Sequence, residues 1–383
     1  MTRRQHDIGR GLTRREALGR GAAAGMAIVA ALREGEALAG GAAQRPPVRG
    51  ALRRGTVQTV RGPIDTAKLG FTLSHEHICA SSAGVWQAWP ELFGGRAQFV
   101  RTTVDLLKQA KDEGVDAFID VTTVDLGRDI RLMEEISRKS GVQVIAATGH
   151  WVDPSRSMNA RTVDELAAFF IREIEVGMEG TDIKAGVIKV GNAGASLNEF
   201  GEKILRAAAR ASKATGVPIT THSPAGDRMG EKQAVIFESE GLRPSRVCIG
   251  HSDNSAADYR MGLVKRGYYL GMDNLPRGGP AVPGAPLQQP GGLTFEQRME
   301  AIKALVDAGF TERVMLGNDH SIAMSLQPTA ADTLRLAQNP DGILFVTRKV
   351  IPALKAMGVQ DQAIRTMTVD VPKRFFDDAR AES

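Results

Sequence analysis

Apolar runs short enough to be β-strands recur along this chain, and amphipathic stretches of helical period fill the gaps between them. The runs fall at residues 71–77, 117–122, 143–148, 185–190, 217–222, 246–251, 267–272 and 313–318. Helical periodicity marks Ala97 to Glu113, Val163 to Glu179, Phe200 to Thr215, Gly230 to Glu240 and Thr294 to Gly309. Strands that alternate with helices pair in parallel, and eight such units within roughly 300 residues predict a closed (β/α)8 barrel. An open doubly wound sheet is the competing architecture, but no G-x-G-x-x-G turn follows the first run.

The polar residues at the ends of these runs share a chemistry. Residues 71–77 read FTLSHEH, so a period of two puts His75 and His77 on one strand face. Lys189, His222, His251 and Asp319 each stand at or near the end of a further apolar run. Imidazole and carboxylate are ligands for divalent metals, and barrels carry their active sites at the carboxyl-terminal ends of the strands. The six residues are expected to form one constellation. An H-x-H pair alone suits two hydrogen-bonded or exposed strand residues equally well; the repetition at four other strand ends favours ligands. Lys189 is the most diagnostic, because a lysine ending an apolar strand is costly to bury as a cation. A neutral amine there can take up carbon dioxide as a carbamate whose two oxygens bridge two cations. A buried Lys–Asp ion pair is the alternative.

Composition narrows the function further. The 383 residues are 42% hydrophobic, enough for a substantial core. The net charge of +5 resides largely in the first 39 residues, without which 42 basic face 40 acidic residues, so no nucleic-acid footprint is expected. That leader carries Arg14 and Arg15, an apolar stretch from Gly21 to Leu32 too short to span a bilayer, and a small-residue site ending at Ala39. It reads as a twin-arginine signal that engages the twin-arginine export machinery and sends the folded protein to the periplasm. Residues 40–55 are expected as an irregular arm and 56–383 as the barrel. Two cysteines, Cys79 and Cys248, cannot build a disulfide framework and are expected as buried thiols. The stretch from Asn274 to Gly292, rich in Pro and Gly, is expected as a long loop at the mouth of the site.

Several segments carry a family resemblance: TVRGP at 59–63, SHEHIC at 74–79, GVIKV at 186–190, FESEGL at 237–242 and VCIGHSD at 247–253. From about Thr56 to Phe376 the chain resembles the bacterial phosphotriesterases (aryldialkylphosphatases) of the amidohydrolase superfamily. The resemblance implies a TIM barrel with a binuclear metal centre, usually of zinc. One ion would be held by His75, His77 and Asp319, the other by His222 and His251. Carbamylated Lys189 and a hydroxide would bridge them, with Asp319 orienting the hydroxide and receiving its proton. It also implies a homodimer.

Departures from the family pattern bear on substrate. The positions matching the family's proton-relay Asp and His are Asn254 and Asn274, neither of which can act as a base. Trp151 matches an aromatic wall of the pocket, and Ala80 and Leu126 match positions lining the place of a smaller ester group. Arg277, His320 and Met324 stand where the family has a histidine and two aromatic residues, which implies a more polar pocket. His150, next to Trp151, is read either as a proton carrier behind the site or as a rim histidine. The implied activity is hydrolysis of organophosphate triesters. A lactonase or carboxylic ester hydrolase on the same scaffold is the second reading, and an exported binding protein without catalysis the third.

Overall fold

The computed structural model describes residues 55–379 except 153, 195, 225–227, 279–291, 324–332 and 334–335. The leader, nearly all of the arm, Met324 and most of the loop expected after Asn274 lie outside the described residues.

Eleven strands are described: β1 (Thr56–Thr59), β2 (Gly62–Asp65), β3 (Phe71–His77), β4 (Val115–Asp120), β5 (Gln143–His150), β6 (Val187–Gly191), β7 (Ile219–His222), β8 (Val247–Ile249), β9 (Tyr269–Met272), β10 (Val314–Leu316) and β11 (His320–Ser321). β1 and β2 make an antiparallel hairpin that the apolar pattern does not foretell. Strands β3 to β10 pair in parallel in sequence order, and β11 pairs with β3. Unbroken sequential order has no point at which strand order reverses, so the open doubly wound alternative fails.

The eighth strand, expected to run unbroken over 313–318, is split. Its first half, β10, pairs with β9, and the Gly317 amide still donates to Met272 O at 3.2 Å. The chain then turns at Asp319, which has φ +48°, and the Asp319 amide donates to His75 O at 2.9 Å before β11 runs along β3. One strand thus completes both edges and gives a TIM-barrel-like closure.

Alternation inside the sheet builds the interior. Ala117, Ile119, Ile145, Ala147, Val187, Cys248 and Met315 form one buried cluster, and Val187 on this face puts Lys189, two residues on, on the same face. The carboxyl-terminal helix Val371–Asp378 closes the opposite end, where Tyr269 at the start of β9 stacks on Phe375 and donates to Asp378 at 2.6 Å. Helices Arg96–Asp112, Val163–Glu175, Glu199–Thr215, Met229–Ser239 and Phe295–Asp307 lie where helical periodicity predicts them. Val163–Glu175 and Phe295–Asp307 start with capping boxes at Thr162 and Thr294. Ile130–Ser140 and Ala257–Lys265 are further helices between strands. Both cysteines are buried free thiols.

Candidate metal centre

The six expected ligands meet at the carboxyl-terminal ends of β3, β6, β7, β8 and β10. Lys189 Nζ lies 2.9 Å from His75 Nε2. Asp319 Oδ1 lies 3.5 Å from His75 Nε2 and 3.4 Å from His77 Nε2. His251 Nε2 and His222 Nδ1 are 2.8 Å apart, and the His75 and His251 rings are 4.9 Å apart. Two of the six depend on unusual backbone: His251 at φ +57° and Asp319 at φ +48° occupy the left-handed region, an uncommon conformation for non-glycine residues.

Partners behind the cluster fix which nitrogens face it. His75 Nδ1 bonds Asp273 Oδ2 at 3.0 Å, and His251 Nδ1 bonds Asp273 Oδ1 at 2.9 Å. Thr122 Oγ1 bonds His77 Nδ1 at 2.9 Å. Three rings therefore turn Nε2 inward, the orientation a metal-binding imidazole takes when its other nitrogen is anchored.

His75, His77 and Asp319 offer ligand atoms within 4.8 Å of one another, and so do His75, His251 and Asp273. The first set points into the shared space. The second is an orienting triad, because the carboxylate of Asp273 occupies the outer nitrogens.

Burial and charge set the protonation states. Burial, reinforced by Lys189, pushes His75 down to about 4, although Asp273 and Asp319 pull the other way. Burial, with His251 and Lys189 beside it, holds His222 well below the usual imidazole range. Burial also brings Lys189 down to about 8 against the opposing pull of Asp319 and Asp273. Burial alone would raise Asp319, but Arg277 and the surrounding histidines keep it well below the ordinary carboxylate range. Neutral imidazoles, an ionised carboxylate and an amine that sheds its proton easily fit a divalent-cation centre.

Other expected residues distribute unevenly around this cluster. Trp151 packs edge-on against His222, ring centres 5.4 Å apart, and its amide donates to Asp125 at 3.1 Å. Arg277, half-buried on the turn Leu275–Gly278, donates to Asp319 Oδ2 at 2.7 Å. His320 follows Asp319 into β11, and its amide donates to Glu76. Ala80 donates to Ser321 Oγ at 3.1 Å, while Leu126 receives the Ser81 amide at 2.9 Å.

The remaining three positions have other neighbours. Asn254 accepts from the Leu293 amide at 2.7 Å, just ahead of helix Phe295–Asp307. The Asn274 amide donates to Asp253, which pairs in turn with buried Arg298. His150 is buried against Phe200, ring centres 5.1 Å apart, with Nδ1 3.4 Å from Asp125.

Two site residues escape the sequence pattern. Asp273 follows β9 by one position and repeats the signature of an ionisable residue after an apolar run, but it reads as the start of the loop. Glu76, between the two histidines, points the other way along β3 and is fully buried. It accepts the Asn318 amide at 2.7 Å, the Asn318 side chain at 2.9 Å and the His320 amide at 3.3 Å.

Known proteins resemble this chain in sequence and in fold. Residues 55–376 match the model of the Phosphotriesterase family. An aryldialkylphosphatase of Saccharolobus solfataricus is 33% identical over 317 residues, covering 82% of this chain and 96% of its own. The solved structure of the phosphotriesterase from Mycobacterium tuberculosis superposes with a TM-score of 0.73 at 32% identity, covering 84% of this chain and 98% of that one. An N-acetyltaurine hydrolase of Xenopus tropicalis is 24% identical over 355 residues, covering 84% of this chain and 98% of its own. With a family model matched over most of its length and a relative one-third identical along nearly the whole barrel, this chain belongs to the phosphotriesterase family.

Proposed function

We propose that this protein is a metal-dependent hydrolase whose centre cleaves organophosphate triesters to a dialkyl phosphate and an aryl alcohol. The observation that carries the reading is the cluster of His75, His77, Lys189, His222, His251 and Asp319 at one end of the barrel, with three imidazoles turned Nε2-inward by Asp273 and Thr122. His75, His77 and Asp319 would hold one divalent ion and His222 and His251 a second, most simply zinc, with the carbamate of Lys189 shared between them. When bound, such a pair makes a nucleophile from water near neutral pH and polarises the ester oxygen.

The protein's own groups do the rest. Asp319, held ionised by Arg277 and the rings around it, orients the attacking water and takes its proton. Lys189, dry and with a depressed pKa, keeps enough neutral amine near neutral pH to capture carbon dioxide. Trp151, packed on His222, walls the place of the leaving group. No base follows Asp319, since the asparagine side chains at 254 and 274 cannot take up its proton, so the proton leaves through solvent.

Cleavage of lactones or carboxylic esters is a second reading, favoured by one observation. Arg277 brings a permanent cation to within 2.7 Å of Asp319, which suits a polar substrate better than a neutral dialkyl ester. The test is parallel assay of zinc-loaded protein on a dialkyl nitrophenyl phosphate and on nitrophenyl and lactone esters. Turnover of the phosphate at a rate comparable with the best of the others supports the first reading. Turnover of the carbonyl esters alone supports the second.

A further inference from the structure

A small pocket of about 30 Å3 opens beside Asp319, lined by Arg277, Asn318, Asp319, His320, Gln338 and Asn339. Pro276 supplies an apolar part of the wall, and these six residues supply its polar groups. The Arg277 guanidinium always carries its charge and presents five N–H donors. One of them reaches Asp319, and the others make no hydrogen bond among the described residues. Gln338 and Asn339 are 3% and 6% exposed, and Gln338 Oε1 and Asn339 Oδ1 are buried without a partner.

An alkyl arm placed here would leave a guanidinium fork and two buried amide oxygens unsatisfied, the arrangement that desolvation penalises most. A carboxylate meets the fork in its preferred planar geometry, while water or an N–H next to it satisfies the amide oxygens. Charge argues the same way. Among the residues that line the pocket, Arg277 is the one with a permanent positive charge.

We infer that this pocket is a subsite in which Arg277 holds a carboxylate substituent of the ester substrate. The inference rests on the hydrolase reading above for the role of its neighbour Asp319, but its test reads binding and not turnover. Zinc-loaded wild-type protein is titrated by calorimetry with glutarate and with glutaramate, which differ by one carboxylate, at fixed ionic strength. Arg277→Leu and Arg277→Lys are titrated alongside, with zinc content and melting transition confirming that each variant is folded and loaded.

Wild type is expected to bind glutarate about tenfold tighter than glutaramate or better, as a charge-assisted bidentate contact allows. Arg277→Leu should abolish that preference, and Arg277→Lys should retain part of it. Equal binding of the two ligands by wild type overturns the inference, and so does a preference that survives Arg277→Leu, since the metals would then be the source. If the Arg277-dependent preference is found while no ester of any class is turned over, the subsite stands and the hydrolase reading falls.

Discussion

Glu76 accepts two hydrogen bonds from Asn318, one from its backbone amide at 2.7 Å and one from its side chain at 2.9 Å. The same carboxylate receives the His320 amide, so it grips the chain on both sides of Asp319, where the backbone is left-handed. Asn318 is tied down further by Ile343 O and the Val346 amide. Glu76→Ala leaves these donors buried and unpaired, a cost of about 1–3 kcal/mol in stability. It should also weaken zinc binding by about 10- to 100-fold by releasing Asp319. Competition with a chelating dye measures the affinity, and an unchanged value would show that Glu76 does not hold Asp319 in place.

Asp273 bonds two of the clustered rings at once, His75 and His251, and in the proposed centre would link both halves. Asn in its place has one acceptor oxygen for the two rings and the His251 amide that Asp273 also receives. Asp273→Asn is expected to lower the affinity for both ions by about 10- to 100-fold. Loss of one zinc with the other bound as tightly as before would contradict the shared role.

Lys189 provides a pH signature in the metal-free protein. Its folded pKa is lowered to about 8 from an ordinary 10.5, so between those values the unfolded chain binds more protons than the folded one. Stability must then rise with pH across that window, by about 3 kcal/mol at most. Chemical denaturation of wild type against Lys189→Met, from pH 7 to pH 10.5, should show this rise in wild type alone. Parallel curves would mean that Lys189 is not desolvated as described. Its carbamate should appear in the intact mass of zinc-loaded protein prepared in bicarbonate and be missing from the variant.

Gly149 sits in β5 at φ +114°, where a Cβ would come within 1.9 Å of Lys189 O. Gly149→Ala must push β6 away at the level of the lysine. A loss on the order of 3 kcal/mol is expected, together with weaker zinc binding. A melting temperature within a degree or two of wild type would show that the strands separate here without penalty.

That these side chains gather at one end of the barrel was legible in the sequence for a physical reason. Lys189, His222 and His251 end apolar runs at positions where a barrel must expose the tops of its strands, and His75 and His77 advertise themselves by spacing. What could not be read depends on contacts between distant segments. Asp273 carries the same signature, but only the fold shows that two histidines lean on it from β3 and the end of β8. Glu76 alternates away from its neighbours and acquires meaning only when residues 318–320 arrive across the barrel. The split of the eighth strand follows from the left-handed turn at Asp319, which no apolar pattern encodes. Asn254 and Asn274 match relay positions by resemblance; in the fold Asn254 accepts the Leu293 amide, and Asn274 donates to Asp253 through its backbone.

A hydrolytic centre built from these six residues must lose its activity with its metal and with Asp319. The decisive measurement is the initial rate of nitrophenol release from a dialkyl nitrophenyl phosphate, comparing zinc-loaded protein, the same protein after chelation, and zinc-loaded Asp319→Asn. A measurable rate is expected with zinc, with loss on chelation, recovery when zinc or another divalent ion is restored, and a fall of about 100-fold or more in the variant. A rate that is indifferent to chelation and to Asp319→Asn would contradict such a centre.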